Sequence, residues 1–144
     1  MLDICQWADG LGFDLAYFAE HHSAEDGYLP SPLIASAAAA GRTSRMRLRP
    51  IVLAPLYHPL RLAEDIAVAD LLSAGRLSPV FAAGYRRAEF DMFDVGLHER
   101  RRRVTEAVEV CKLAWRGEPF DFRGRTVTVT PTPAAEAGEA HTKS

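Results

Sequence analysis

Three times along this chain an apolar run ends in polar or aromatic residues and gives way to a helical pattern, and that recurrence restricts the fold most. Leu15-Ala16-Tyr17-Phe18 closes on Ala19-Glu20-His21-His22, ahead of the turn-rich Ser23-Ala24-Glu25-Asp26-Gly27. Arg49-Pro50-Ile51-Val52-Leu53 leads into Pro55-Leu56-Tyr57-His58, and Leu77 to Ala83 leads into Gly84-Tyr85-Arg86. Short apolar runs bounded by turn residues read as buried strands. Strands alternating with helices argue for a parallel sheet, with all strand ends on one side. An acid and two histidines at such an end sit where α/β proteins build their active sites.

The rest of the chain fills in around these runs. Leu2 to Leu11 reads as a helix with Leu2, Ile4, Cys5, Ala8 and Leu11 on its apolar side and Gly12 as its stop. The first strand is expected over Asp14 to Ala19. Pro30-Ser31-Pro32 opens a helix over Leu33 to Arg42, whose alanines permit close packing on a sheet. The second strand runs from Met46 to Leu53. His58-Pro59 starts a helix to about Ser73, with Leu62, Ile66, Ala69 and Leu72 as its buried stripe and Arg61, Glu64, Asp65 and Asp70 in water.

Arg76 to Ala83 is the third strand, and Glu99 to Trp115 the longest helix, with Val104, Ala107, Val108, Cys111, Ala114 and Trp115 at three-and-four spacing. Phe120-Asp121-Phe122, a turn at Gly124, and Thr126 to Thr130 alternate with period two and read as a hairpin. From Pro131 the composition turns to Pro, Ala, Glu and Gly. The expected organisation is one domain over 1–130 and a disordered tail over 131–144.

The fold class is therefore α/β. A closed (β/α)₈ barrel needs roughly 250 residues, and these 144 residues offer three clear strands, about half of such a barrel. An open three-stranded parallel sheet leaves edges and apolar surface uncovered. That implies a fragment or a subunit that completes itself by assembly. A formal charge of −2 and a pI near 6.2 give no pull toward nucleic acid or an anionic membrane. Cys5 and Cys111 have no metal-ligand spacing and read as buried thiols of a cytoplasmic protein. Ala35 to Ala40 is too short to span a bilayer.

Seven pieces of the chain, in order and in register, resemble the bacterial luciferase-like monooxygenases. They are Gly12-Phe13-Asp14, Ala19-Glu20-His21-His22, Gly27-Tyr28-Leu29-Pro30-Ser31-Pro32 and Ala40-Gly41-Arg42-Thr43-Ser44, then His58-Pro59-Leu60-Arg61-Leu62-Ala63-Glu64-Asp65, Leu71-Leu72-Ser73-Ala74-Gly75-Arg76-Leu77, and Gly84-Tyr85-Arg86 with Glu89-Phe90. The likeness runs from about Leu2 to Thr130 and stops after Pro133. It implies a partial TIM barrel, with the hairpin as an excursion near its C-terminus, from a truncated member of a family that binds FMN, or a deazaflavin in one branch, at the C-terminal face. The implied activity is that of a flavin-dependent oxidoreductase or monooxygenase acting on a small organic substrate. The rival reading is a non-catalytic remnant, or a subunit completed by a partner or by a second copy.

By the same resemblance, His21 matches the strand-end histidine that faces flavin and substrate, and an imidazole there can give or take a proton. Ile51-Val52 falls where several members place a cis peptide supporting the flavin ring, and Gly84-Tyr85 falls at the next strand end, where a small residue admits a planar ring. The implied cofactor-binding residues are thus Ile51, Val52, Gly84 and Tyr85. The chain departs from the family pattern at Ser78-Pro79-Val80-Phe81-Ala82, where Pro79 removes a ladder donor inside an expected central strand. The strands and late loops that hold the flavin phosphate in the family are absent from this sequence.

Plainer readings stand beside these. Glu20, His21, His22 and His58 could ligate a metal, but neighbours on a strand point to opposite faces and no Cys or His-x-x-x-His completes a set, so no metal is expected. His22 reads as an outward loop or packing residue. His58 reads as a helix cap whose imidazole accepts an orphan N–H. Arg100 to Arg103 reads as a solvated first turn rather than a nucleic-acid patch. Tyr85 either stacks on a ring or packs beneath the following loop.

Overall fold

The computed structural model describes residues 1–133. In chain order the elements are α1 (Leu2–Leu11), β1 (Leu15–Ala19), α2 (Pro32–Ala40), β2 (Arg47–Leu53), α3 (Pro59–Leu72), β3 (Val80–Ala82), α4 (Arg87–Met92), α5 (Arg100–Ala114), β4 (Phe120–Phe122) and β5 (Arg125–Val127). The first three strands form one parallel sheet in the order β1-β2-β3, and β4 and β5 make an antiparallel hairpin. This is the expected α/β arrangement, with the hairpin where its alternation placed it. The tail expected over 131–144 lies, from residue 134 on, outside the described residues.

Side-chain alternation gives the sheet two unlike faces. Phe18, Leu48 and Val52 point toward the helices and join Leu33, Ala39, Leu62 and Ile66 in one core. Each such side chain contributes about 1.5–3 kcal/mol by leaving water. Tyr17 and Val80 point the other way, and Tyr17 is 61% exposed. The alanines of α2 let it lie close to both sheet and α3, with Ala35, Ala39 and Ala40 buried. A second small core sets α5 against α3, where Ala63, Cys111, Ala114 and Val129 cluster and Trp115 Nε1 donates to the Ala63 carbonyl. Burial there pushes the Cys111 thiol up to about 12, so it is an inert packing group.

Several expectations are corrected. In α3, Leu72 is 63% exposed and Asp70 is 6% exposed, the reverse of the expected pattern. The reason is helical geometry: at about 100° per residue Asp70 falls on the side of the buried Ala63, Ile66 and Ala67, and Leu72 on the opposite side beside the exposed Arg61 and Val68. In α1, Ile4 and Leu11 are exposed, and Cys5 is the buried apolar residue of that helix. The short helix α4 carries little periodicity of its own and was not expected.

The third strand is also shorter than expected, and Pro50 rather than Pro79 explains the gap. Leu48 donates to the Arg76 carbonyl and accepts from Ser78 N–H, an isolated parallel bridge to Leu77. Two residues on, Pro50 would have to donate to Ser78 and has no N–H, so pairing resumes only at Ile51 opposite Val80. Ser78 directs its N–H to β2, so by alternation Pro79 directs its nitrogen away from β2. An aliphatic residue at Pro79 therefore returns no bond to this sheet, contrary to the sequence reading.

Two polar clamps hold the helices to the strand starts. Arg76 donates to the carbonyls of Ala40, Thr43, Met46 and Ser73 and to Thr43 Oγ1, tying the ends of α2 and α3 to the start of β2. Asp9, at the end of α1, accepts from the backbone N–H groups of Ser44, Arg45 and Met46 and from Ser44 Oγ. Those donors, the Ser44 amide foremost, hold its carboxyl down at about 2 against a usual 3.8. A depressed folded-state value adds stability above the unfolded value that is lost as pH falls through the folded one. Acid should thus weaken the fold between about pH 4 and pH 2 partly through this group. Asp9→Asn should be less stable at neutral pH and flatter across that window, as a series of thermal melts against pH would show.

Candidate active site

The open end of the sheet is organised by two buried carboxylates, each serving one histidine. Because β1 stops at Ala19, the backbone N–H of Leu53 finds no strand carbonyl there, and Glu20 Oε2 accepts it at 2.7 Å. Glu20 Oε1 accepts from His22 Nε2 at 2.8 Å and from the Tyr57 hydroxyl at 2.9 Å. At 3% exposed, Glu20 is thus a fully used anchor joining the ends of β1 and β2. Burial and then the Glu20 charge push the Tyr57 hydroxyl far above the usual tyrosine range, so it stays a proton donor.

The other carboxylate comes from α4. Glu89 is 1% exposed, and its Oε1 lies 2.8 Å from His21 Nδ1 and 3.0 Å from the His22 backbone nitrogen. Arg86, one helical turn back, approaches the same oxygen at 3.5 Å. Burial by itself raises this carboxyl, but the His22 amide, the His21 ring and Arg86 together hold it below the usual range. Its Oε2 is buried without a partner.

His21 is half-buried. Its backbone N–H donates to the Leu29 carbonyl, and its ring stands edge-on to Tyr28 at 4.9 Å and to Tyr85 at 6.2 Å between centroids. An Nδ1–H donated to Glu89 would leave the Nε2 lone pair free, and which nitrogen carries the proton depends on the tautomer. A half-exposed imidazole fixed on one nitrogen can accept or return a proton on the other.

His22 is buried between Glu20 and the Phe93 ring, so it is a packing residue turned inward rather than outward. Ile51 sits on the open face beside Ala19, its β1 partner, whereas the Val52 side chain is fully buried on the helix face. Of that pair only Ile51 has its side chain on the same face of the sheet as Ala19. The resemblance also implied a cis bond here; among the described residues the cis peptide is Thr130–Pro131, and Ile51–Val52 is trans. Tyr85 is exposed and packs beneath nothing.

Gly84 is needed for an internal reason. Its φ is +70°, and a Cβ there would stand 2.8 Å from the Phe90 ring. The planar ring that approaches this backbone from within the chain is thus Phe90's. Gly84→Ala should cost roughly 1–3 kcal/mol, from the left-handed backbone and the clash together. Thermal unfolding of the variant measures it.

His58 caps α3 through its backbone, Leu62 N–H donating to its carbonyl, and its ring lies edge-on to Phe122; the imidazole makes no capping bond. Arg102 and Arg103 pair with Glu99, as a solvated first turn would. Among the described residues no group of three His, Cys, Asp or Glu side chains could hold a metal ion, and no helix is long and apolar enough to cross a membrane. The residue of this arrangement to which the sequence reading gave no role is Glu89, although it stands in one of the pieces that carry the resemblance. Its signal was the Arg86-x-x-Glu89 spacing, which puts both side chains on one side of a short helix.

Comparison with known proteins identifies the family. The family model described as luciferase-like monooxygenase matches residues 1–139. The oxygenase component of a flavin-dependent trigonelline monooxygenase from Acinetobacter baylyi is 31% identical over 121 residues, covering 82% of this chain and 34% of that protein. Limonene 1,2-monooxygenase from Rhodococcus erythropolis is 34% identical over 120 residues, covering 81% of this chain and 30% of that protein. The crystal structure of monooxygenase RslO1 from Streptomyces bottropensis superposes with a TM-score of 0.86 at 34% identity, over 94% of this chain and 44% of its own. The oxygenating constituent of a 3,6-diketocamphane monooxygenase from Pseudomonas putida, solved in complex with FMN, superposes at 0.80 with 24% identity, over 90% of this chain and 38% of its own, and shares the fold. This chain thus spans about a third of the length of those curated relatives. With the family model over nearly the whole chain and relatives above 30% identity in agreement, the chain belongs to the luciferase-like monooxygenase family.

Proposed function

We propose that this chain forms the His21 side of the active site of a flavin-dependent monooxygenase acting on a small organic substrate, within a TIM barrel that further strands complete. One observation carries the reading: an imidazole just past the end of β1 is anchored through Nδ1 by a buried carboxylate. The residues around it fit the ring of a flavin. Ile51 and Ala19 offer an apolar floor, and the exposed Tyr85 ring flanks it. In this reading Ile51, Gly84 and Tyr85 shape the flavin wall, and Val52 contributes through its backbone.

FMN is favoured over a deazaflavin because a relative is described as flavin-dependent and a fold neighbour is an FMN complex. When bound and reduced, the flavin supplies the two electrons that let one oxygen atom of O₂ enter the substrate while the other leaves as water. His21 holds or moves the proton at Nε2, Glu89 keeps Nδ1 occupied, and Tyr28 and Tyr85 limit water around the ring. Two cysteines without a disulfide support a cytoplasmic enzyme.

The full-length protein, expressed with its flanking sequence, should bind FMN and consume oxygen with reduced FMN and substrate. Binding of neither FMN nor a deazaflavin would remove the assignment. Flavin reduction by substrate without oxygen uptake would make it a dehydrogenase. A second reading, a non-catalytic subunit that assembles with a partner or another copy, is favoured by the exposed Tyr17 and Val80 and by an apolar groove of about 320 Å³ along β1, lined by Met1, Ile4, Tyr17 and Tyr28. Size-exclusion of the 144-residue chain decides it: an oligomer supports that reading, and a cooperatively melting monomer counts against it.

A further inference from the structure

We propose that Glu89 is the positioning residue of His21, fixing the imidazole as its Nδ1–H tautomer so that the Nε2 lone pair faces the ligand space. The inference rests on the reading above only in giving that lone pair a ligand to face. The geometry argues it by contrast between the two buried carboxylates. Glu20 spends both oxygens on three donors, the ring of His22, the hydroxyl of Tyr57 and the amide of Leu53, which is what a structural anchor does.

Glu89 is placed differently. Its Oε1 takes both the His21 ring and the His22 amide, while its Oε2 is buried with no partner at all. Taking a carboxylate out of water costs several kcal/mol unless its lone pairs are used. For structure alone this is a poor arrangement, since a neutral acceptor would hold the His22 amide as well. What a carboxylate adds is a strong acceptor for one imidazole nitrogen and a counter-charge if that ring takes up a proton.

The rest of the surroundings leave the assignment to Glu89. Tyr28 and Tyr85 meet the His21 ring edge-on, and no other described group hydrogen-bonds its nitrogens. Arg86, at 3.5 Å from Oε1, keeps Glu89 ionised without reaching the ring through any hydrogen bond. Two successive histidines thus carry two separate carboxylates, one bond closing inward at His22 and the other aiming outward at His21.

The test reads the tautomer directly, without flavin. Histidine-labelled ¹⁵N spectra of the 144-residue chain, taken at alkaline pH where imidazoles are neutral, should assign the pyrrole-type nitrogen of His21 to Nδ1 and the pyridine-type nitrogen to Nε2. Free imidazoles of histidine favour the opposite form. In Glu89→Leu the balance should move to Nε2–H, with the His22 Nε2–H signal unchanged as the mark of an intact fold. A wild-type His21 in the Nε2–H form would overturn the proposal, as would a folded Glu89→Leu still holding Nδ1–H. Should Glu89→Leu unfold, the wild-type spectrum alone decides, Nδ1–H supporting and Nε2–H overturning. Flavin binding by the full-length protein is measured separately, so the tautomer can fail while the flavin reading stands, and the reverse.

Discussion

His21→Ala in the full-length protein is expected to slow turnover by about 10²–10⁴-fold, the usual cost of losing a placed acid or base, while FMN stays bound. The split follows from what the side chain touches. The His21 side chain is 24% exposed at the strand end and is held by one ring nitrogen, so the loss removes a proton carrier and leaves Glu89 Oε1 with the His22 amide, costing some stability beside the turnover. Steady-state kinetics with a flavin titration measure both halves. His22→Ala should do the reverse. Its ring is buried between Glu20 and Phe93, so the change leaves a carboxylate oxygen short of a donor and a hole beside an aromatic ring. A loss of about 2–4 kcal/mol of stability is expected, with turnover per folded molecule nearly kept.

The largest effect on stability is expected at Glu20. Glu20→Ala strands three donors in a buried place: Leu53 N–H, the Tyr57 hydroxyl and the His22 ring. Each buried, unsatisfied group costs about 1–3 kcal/mol, so the sum is roughly 3–9 kcal/mol. That is a large part of what holds most domains together, and Tm should fall by about 10–30 °C. Glu20→Gln keeps the volume but turns one acceptor into a donor facing other donors, and should fall about half as far. Equal melting of wild type and Glu20→Ala would show that the two strand ends are joined by something other than this carboxylate.

The strand and helix order was legible because it rests on local patterns. The runs at Leu15, Met46 and Arg76 and the caps at Gly12 and Pro59 act within a few residues, and the elements fell within a few positions of them. The strand-end site was legible for the same reason, since the strand itself says where its end lies. What was hidden depends on residues far apart in sequence. Glu89 meets His21 across 68 positions and Glu20 meets Leu53 across 33, and no periodicity announces either. Pro50 looked harmless and Pro79 harmful because which side of a strand a nitrogen faces is set by register, a property of the pair. Asp70 and Leu72 changed places because the buried side of α3 runs through Ala63, Ala67 and Asp70, and small alanines weigh little in a hydrophobic pattern.

The most direct test of the account is a crystal structure of the full-length protein with FMN bound. The expected result has the ring over Ile51, beside Gly84 and Tyr85, with His21 Nε2 directed at the ring or at a substrate beside it, within about 2.6–3.2 Å or through one water. A flavin bound elsewhere, or a His21 imidazole turned away with Nε2 hydrogen-bonded to the protein, would contradict it.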